Sequence, residues 1–106
     1  MRRAILLTMA LFAAVAAAAG AQENVVPANG YVPDAVTAIA IARAVLVPIY
    51  GQRRIDAEEP LTARRDGDTW EVEGDPHCPA DGRCDTKTVY VKLSAEDGQI
   101  LFVTSE

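Results

Sequence analysis

The sequence predicts an α+β domain in which one N-terminal helix packs on a four-stranded antiparallel sheet. Two observations carry this. Hydrophobic residues crowd at helical density between Ala35 and Val47, and the periodicity then changes to alternation with polar residues in two later pairs of segments, clearest in Thr69 to Gly74 and Thr88 to Ser94. Each pair is also joined by a turn signal, Asp66-Gly67-Asp68 in the first and Glu96-Asp97-Gly98 in the second.

The chain begins with an element to be set apart from the fold. Arg2 and Arg3 precede an apolar run from Ala4 to Ala18, and Ala19-Gly20-Ala21 offers the small residues of a cleavage site. Residues 1–21 therefore read as a secretory signal peptide. The run breaks at Gly20 and meets Gln22-Glu23-Asn24 without a stop-transfer charge, which argues against a permanent membrane anchor. The expected product is periplasmic or secreted, with no stable membrane insertion after cleavage.

Cleavage after Ala21 would leave 85 of the 106 residues and, with Arg2 and Arg3 gone, a net charge of −7 in place of −5. The composition of 50% hydrophobic residues thus describes two objects, an apolar leader and a more polar mature chain. So acidic a product disfavours nucleic acid or an anionic membrane surface as partner and would attract a basic protein. Its size allows a single domain, small enough to benefit from a covalent staple or a partner.

Residues 22–32 mix Pro27, Asn29 and Gly30 with isolated valines and read as a lead-in to a single domain at 33–106. Asp34 stands where a helix N-cap is needed. The helix that follows is expected to kink or end at Pro48, with Gly51 closing the segment and Gln52 to Pro60 as a polar connection. Arg43 is its only internal charge, and Ala38, Ile41 and Val45 lie on the opposite side, so no wide polar face is predicted. Such a helix offers a surface for a homodimer or another partner, unless small alanines simply line its outer side.

Leu61 to Arg65 and Thr69 to Gly74 form the first hairpin; Thr88 to Ser94 and Gln99 to Thr104 form the second. Trp70, Val72, Val89, Val91 and Leu93 are the expected core face. Glu71 and Glu73 share the other face, where Arg64 and Lys92 on neighbouring strands offer ordinary ion pairs in place of a general acid–base role. The last strand, Ile100-Leu101-Phe102-Val103, is apolar on both faces and needs cover beyond one helix, for which the lead-in is a candidate.

Between the hairpins lies a loop rich in Pro and Gly with Cys78 and Cys84 six positions apart. In an oxidising compartment the pair is expected to form a disulfide, with a contribution of about 2 kcal/mol on the chain-entropy account. The metal alternative would draw on His77, Cys78 and Cys84 with Asp75, Asp81 or Asp85. It suffers because adjacent His77 and Cys78 cannot easily reach one ion and the spacing matches no paired zinc knuckle. No metal or other cofactor is expected. With one histidine, no nucleophile–base spacing and no phosphate loop, no reaction is legible and the chain reads as a non-enzyme.

The order Gly30-Tyr-Val-Pro-Asp34, the Ile39-Ala-Ile-Ala42 helix, Pro48-Ile-Tyr-Gly51, Trp70-Glu-Val-Glu-Gly74, Val89-Tyr-Val and Asp97-Gly98-Gln-Ile-Leu101 resembles the small NTF2-fold immunity protein family. The resemblance implies an NTF2-like or cystatin-like layout and a bacterial, antitoxin-like protein that binds and blocks a protein toxin without chemistry of its own. It carries over no toxin-contact residues. The helix followed by the Asp66-Gly67, Trp70-Glu-Val and Asp97-Gly98-Gln-Ile-Leu101 segments also looks like a PepSY-type module, which would imply peptidase modulation or sensing. A small NTF2-like ligand-binding protein, with a pocket between helix and sheet, is the third reading.

Overall fold

The computed structural model describes residues 23–84 and 87–105; the segment 1–21, expected from the sequence to be a signal peptide, and Asp85 lie outside them. Helix α1 spans Ala35–Tyr50. The Asp34 carboxylate starts it by accepting the Thr37 amide at 2.8 Å and the Thr37 hydroxyl at 2.7 Å, and these bonds hold its pKa below the usual 3.8. Ala38, Ala42 and Leu46, spaced by four, form the fully buried stripe, with Ile39, Ile41 and Val47 packed beside it. The stripe therefore lies nearer to Arg43 than the wheel placed it, and Arg43 flanks the core instead of facing away from it.

Pro48 does not end the helix. It removes one intrahelical bond close to the C-terminus, and α1 runs on to Tyr50, where the Gly51 amide closes the last turn on the Val47 carbonyl at 2.8 Å. The segment expected to be a polar connection contains a second helix, α2, Gln52–Ala57. Its composition hides it, because Ile55 is the only residue it buries completely. The rest is held by polar bonds: Gln52 Nε2 donates to Asp56 Oδ1 at 2.7 Å and Arg54 Nε to Glu58 Oε2 at 2.9 Å.

Strands β1 (Thr62–Asp66), β2 (Thr69–Glu73), β3 (Tyr90–Ser94) and β4 (Ile100–Thr104) form an antiparallel meander in the order β1-β2-β3-β4. Both expected hairpins are present. Opposite residues include Arg64 and Glu71, Glu71 and Lys92, and Lys92 and Phe102. Between Lys92 and Leu93 the β3–β4 register slips, so that Ile100 faces Leu93 and Leu101 has no partner across β3. Trp70, Val72, Val89, Val91 and Leu93 form the core face against α1, as the alternation predicts.

The lead-in joins this core at its end. Val32 is fully buried, its amide donates to Ala95 O at 3.0 Å and its carbonyl accepts Trp70 Nε1 at 2.9 Å. Gly30 makes the approach feasible: its φ is +83°, and an added Cβ would stand 2.5 Å from the Ala95 carbonyl oxygen. This contact covers Trp70 and the β3–β4 turn, not the outer side of β4. Leu101 and Phe102 remain 47% and 53% exposed, contrary to the expectation of cover. Among the described residues, no helix is long and apolar enough to cross a membrane.

Candidate functional site

Strand pairing places one residue from each strand in a row across the sheet face that turns away from α1. Arg64, Glu71, Lys92 and Phe102 stand side by side, with Tyr90 on the diagonal. Arg64 Nη2 lies 3.0 Å from Glu71 Oε1, the cross-strand ion pair that alternation and hairpin spacing suggest. The Tyr90 hydroxyl donates to the same oxygen at 2.8 Å. Its ring meets that of Phe102 edge-on, with centroids 6.1 Å apart and planes at 64°.

These contacts set the electrostatics. The Tyr90 hydroxyl bond, followed by the Arg64 guanidinium, lowers the Glu71 pKa, so this carboxylate stays ionised. Burial, then the bond to Glu71, raises the Tyr90 hydroxyl to about 12, so it stays neutral. A carboxylate with a lowered pKa and its oxygen already engaged twice is poorly suited to proton transfer. The row instead presents a fixed guanidinium, a held carboxylate and two aromatic edges, an arrangement suited to recognition. The alternation of Val89, Val91 and Leu93 puts Tyr90 on this face. Its bond to Glu71 was not legible, because residues opposite one another depend on register as well as on alternation.

The loop between β2 and β3 is organised separately. Cys78 and Cys84 are joined by a disulfide with Cα atoms 4.9 Å apart. His77 takes a left-handed backbone conformation with φ +53°, its amide donating to Asp75 Oδ1 at 2.7 Å, and its Nε2 lies 2.7 Å from the Glu59 carbonyl oxygen. His77 therefore pins the loop to the end of α2. Among the described residues, no group of three or more His, Cys, Asp or Glu side chains gathers as metal ligands would.

Two further residues, overlooked in the polar connection, fasten α2 to the domain. Glu58 is buried, with Oε1 accepting the Val89 amide at 2.8 Å. Glu59 pairs with Arg43 and accepts the Leu61 amide at 3.3 Å. The available signal was two adjacent acids following the Arg53-Arg54 pair, but charge runs of this sort usually face solvent.

A groove of about 420 Å³ lies between the lead-in and the turns, lined by Asn29, Pro33, Arg65, Asp68 and Glu96 among others. It is not the pocket between helix and sheet that a ligand-binding reading requires. That interface is occupied by Ala38, Ala42, Leu46, Val72, Val91 and Leu93, all fully buried.

Comparison with known proteins adds one finding. A family model described as NTF2 fold immunity protein matches residues 37–106. The match begins inside α1, so the Gly30 to Asp34 motif lies outside it, whereas the helix end, both hairpins and the cysteine loop lie within. No curated protein and no solved structure matches the chain. With one long helix and one short one packed on a four-stranded antiparallel sheet, and with the model covering about two-thirds of its length, the chain belongs to the NTF2 fold immunity protein family.

Proposed function

We propose that this chain is an exported immunity protein that neutralises a protein toxin outside the cytoplasm, acting by binding and not by chemistry of its own. Family membership over residues 37–106 is the observation that carries this reading. Export is supported by the Arg2-Arg3 and apolar leader followed by Ala19-Gly20-Ala21, and by a pair of cysteines joined in a disulfide. The partner is a protein with a basic surface, because the chain is acidic overall and more so without its leader. The row from Arg64 through Glu71 to Tyr90 and Phe102 is the recognition face. Its polar groups are held by one another before any partner arrives, which lowers the ordering cost of binding.

The test is protection. A toxin encoded beside this chain is directed to the periplasm of a host cell, with and without the full chain and its leader, and survival is counted. Rescue that requires the leader, and that weakens when Arg64→Ala removes the ion pair holding the Glu71 carboxylate, is the expected result. Equal rescue by a leaderless chain would overturn the extracytoplasmic part, and failure to rescue by any form would overturn the immunity reading.

A further inference from the structure

The acidity of the chain is not carried by the row. Of its charged side chains, Arg64 and Lys92 are cations, and the Glu71 carboxylate is already engaged by Arg64 and Tyr90. A partner drawn by negative charge must meet it elsewhere. The meander gathers it at one end of the sheet, where the β1–β2 turn brings Asp66 and Asp68 and the β3–β4 turn brings Glu96 and Asp97. The Ala95 amide ties the two turns together by donating to Asp68 O at 2.8 Å. Asp97 is spent locally, because its carboxylate accepts the Gln99 amide at 2.9 Å. Asp68 and Glu96 are exposed, and among the described residues their carboxylates take no hydrogen bond or ion pair.

Both of these acids line the groove of about 420 Å³ between the lead-in and the turns. Its size falls within the range of ligand clefts, about 300–1,000 Å³. The groove is framed before anything enters it, because the Tyr31 and Val32 amides fasten the lead-in to Glu96 O at 2.9 Å and Ala95 O at 3.0 Å. Arg65, the cation of the lining, lies with its guanidinium 5.4 Å from the centroid of the Trp70 ring and donates from Nε to Gly67 O at 2.7 Å. It is thereby held against the sheet as one wall, and two acids against one arginine leave the lining net negative.

We propose that this groove receives a lysine or arginine side chain of the toxin, its cationic head between Asp68 and Glu96 and its stem along Ala28, Pro33 and Ala95. The inference rests on the immunity reading and deepens it, adding a contact at the turn end to that of the row. Charge complementarity selects the occupant. An anion would face two carboxylates, and an apolar side chain would strip water from both without replacing its bonds. A basic side chain pairs with them and lays its methylenes on the apolar wall.

The experiment is titration calorimetry of the full chain, expressed with its leader, against the toxin encoded beside it. Asp68→Asn combined with Glu96→Gln removes both charges, keeps the shape of the groove and should bind at least about tenfold more weakly. Asp56→Asn combined with Asp81→Asn changes the net charge equally at the other end, on α2 and the cysteine loop, and should bind as wild type. Asparagine there retains the acceptors used by Gln52 and the Arg83 amide. In the toxin, one Lys→Met or Arg→Met replacement should reproduce the loss and add little to it in the groove variant. Toxin should also slow hydrogen exchange of the Asn29, Asp68 and Glu96 amides in the wild type, a reading that decides alone if the groove variant fails to fold. Full binding by the groove variant overturns the inference and leaves the immunity reading in place. So does an equal loss in the Asp56 and Asp81 variant, a toxin with no basic residue coupled to the groove, or unchanged exchange at these amides. A wild-type chain that binds no toxin overturns both.

Discussion

Replacing Glu58 tests whether a single buried carboxylate holds α2 and the cysteine loop to the sheet. The side chain is only 11% exposed, with Oε1 on the Val89 amide at 2.8 Å and Oε2 on Arg54 at 2.9 Å, while the backbone carbonyl accepts the Asp75 amide at 2.7 Å. Glu58→Ala strands the Val89 N–H where Val89 is fully buried, and an unsatisfied buried donor together with a lost charge-assisted bond costs about 2–3 kcal/mol. Glu58→Gln retains an acceptor for Val89 and loses only the partly exposed ion pair, costing about 0.5 kcal/mol. Gly74 provides a cross-check, because a Cβ there would collide with the Glu58 carboxylate. Gly74→Ala should destabilise the wild type and do so less in the Glu58→Ala background, where the carboxylate is gone and only the Cβ of residue 58, at 2.9 Å, remains in the way. Urea unfolding followed by the fluorescence of Trp70, the chain's single tryptophan, gives each difference as a midpoint shift at constant slope. An equal cost for Glu58→Gln and Glu58→Ala would refute the acceptor argument, as would a Glu58→Ala protein within about 0.5 kcal/mol of wild type.

Gly30→Ala should destabilise the domain by about 1–3 kcal/mol, because it places a Cβ against Ala95 O at a φ of +83°; thermal unfolding measures the loss, which should include weaker protection of the Val32 amide. Burial and the bond to Glu71 push the Tyr90 hydroxyl up to about 12 in the folded chain, from the usual 10.0. Its neutral form is thus favoured by folding, and the resulting stability is complete below pH 10 and lost as pH rises towards 12. Urea midpoints across that range should fall more steeply for wild type than for Tyr90→Phe, and equal slopes would contradict the burial of this hydroxyl. Reduction of the Cys78–Cys84 disulfide should lower stability by about 2 kcal/mol, read from urea midpoints with and without reductant, with intact mass after alkylation confirming the redox state.

The elements legible in the sequence are those whose causes are local. Asp34 caps α1 through a residue three positions away, and the alternation of Trp70 and Val72 against Glu71 and Glu73 assigns sheet faces without any knowledge of the neighbouring strands. α2 escaped because its causes are distant. Six residues with one buried apolar side chain have no helical pattern to read, and what holds them is the bond from Glu58 to Val89, 31 residues on, and that from Glu59 to Arg43, 16 residues back. Pro48 misled for a related reason: its cost depends on how many helical bonds follow it, and here the helix closes within one turn.

Phe102 stands at the far end of the row that begins at Arg64, on the last strand of the sheet. The two ends of the row separate two contributions to the proposed toxin contact. Arg64→Ala releases the Glu71 carboxylate and so removes preorganisation, whereas Phe102→Ala removes exposed aromatic surface and leaves the Arg64–Glu71 pair in place. Each should weaken toxin binding, read by titration calorimetry. Full binding by Phe102→Ala would place the toxin on a face that stops short of β4, and full binding by both variants would remove the row from the contact.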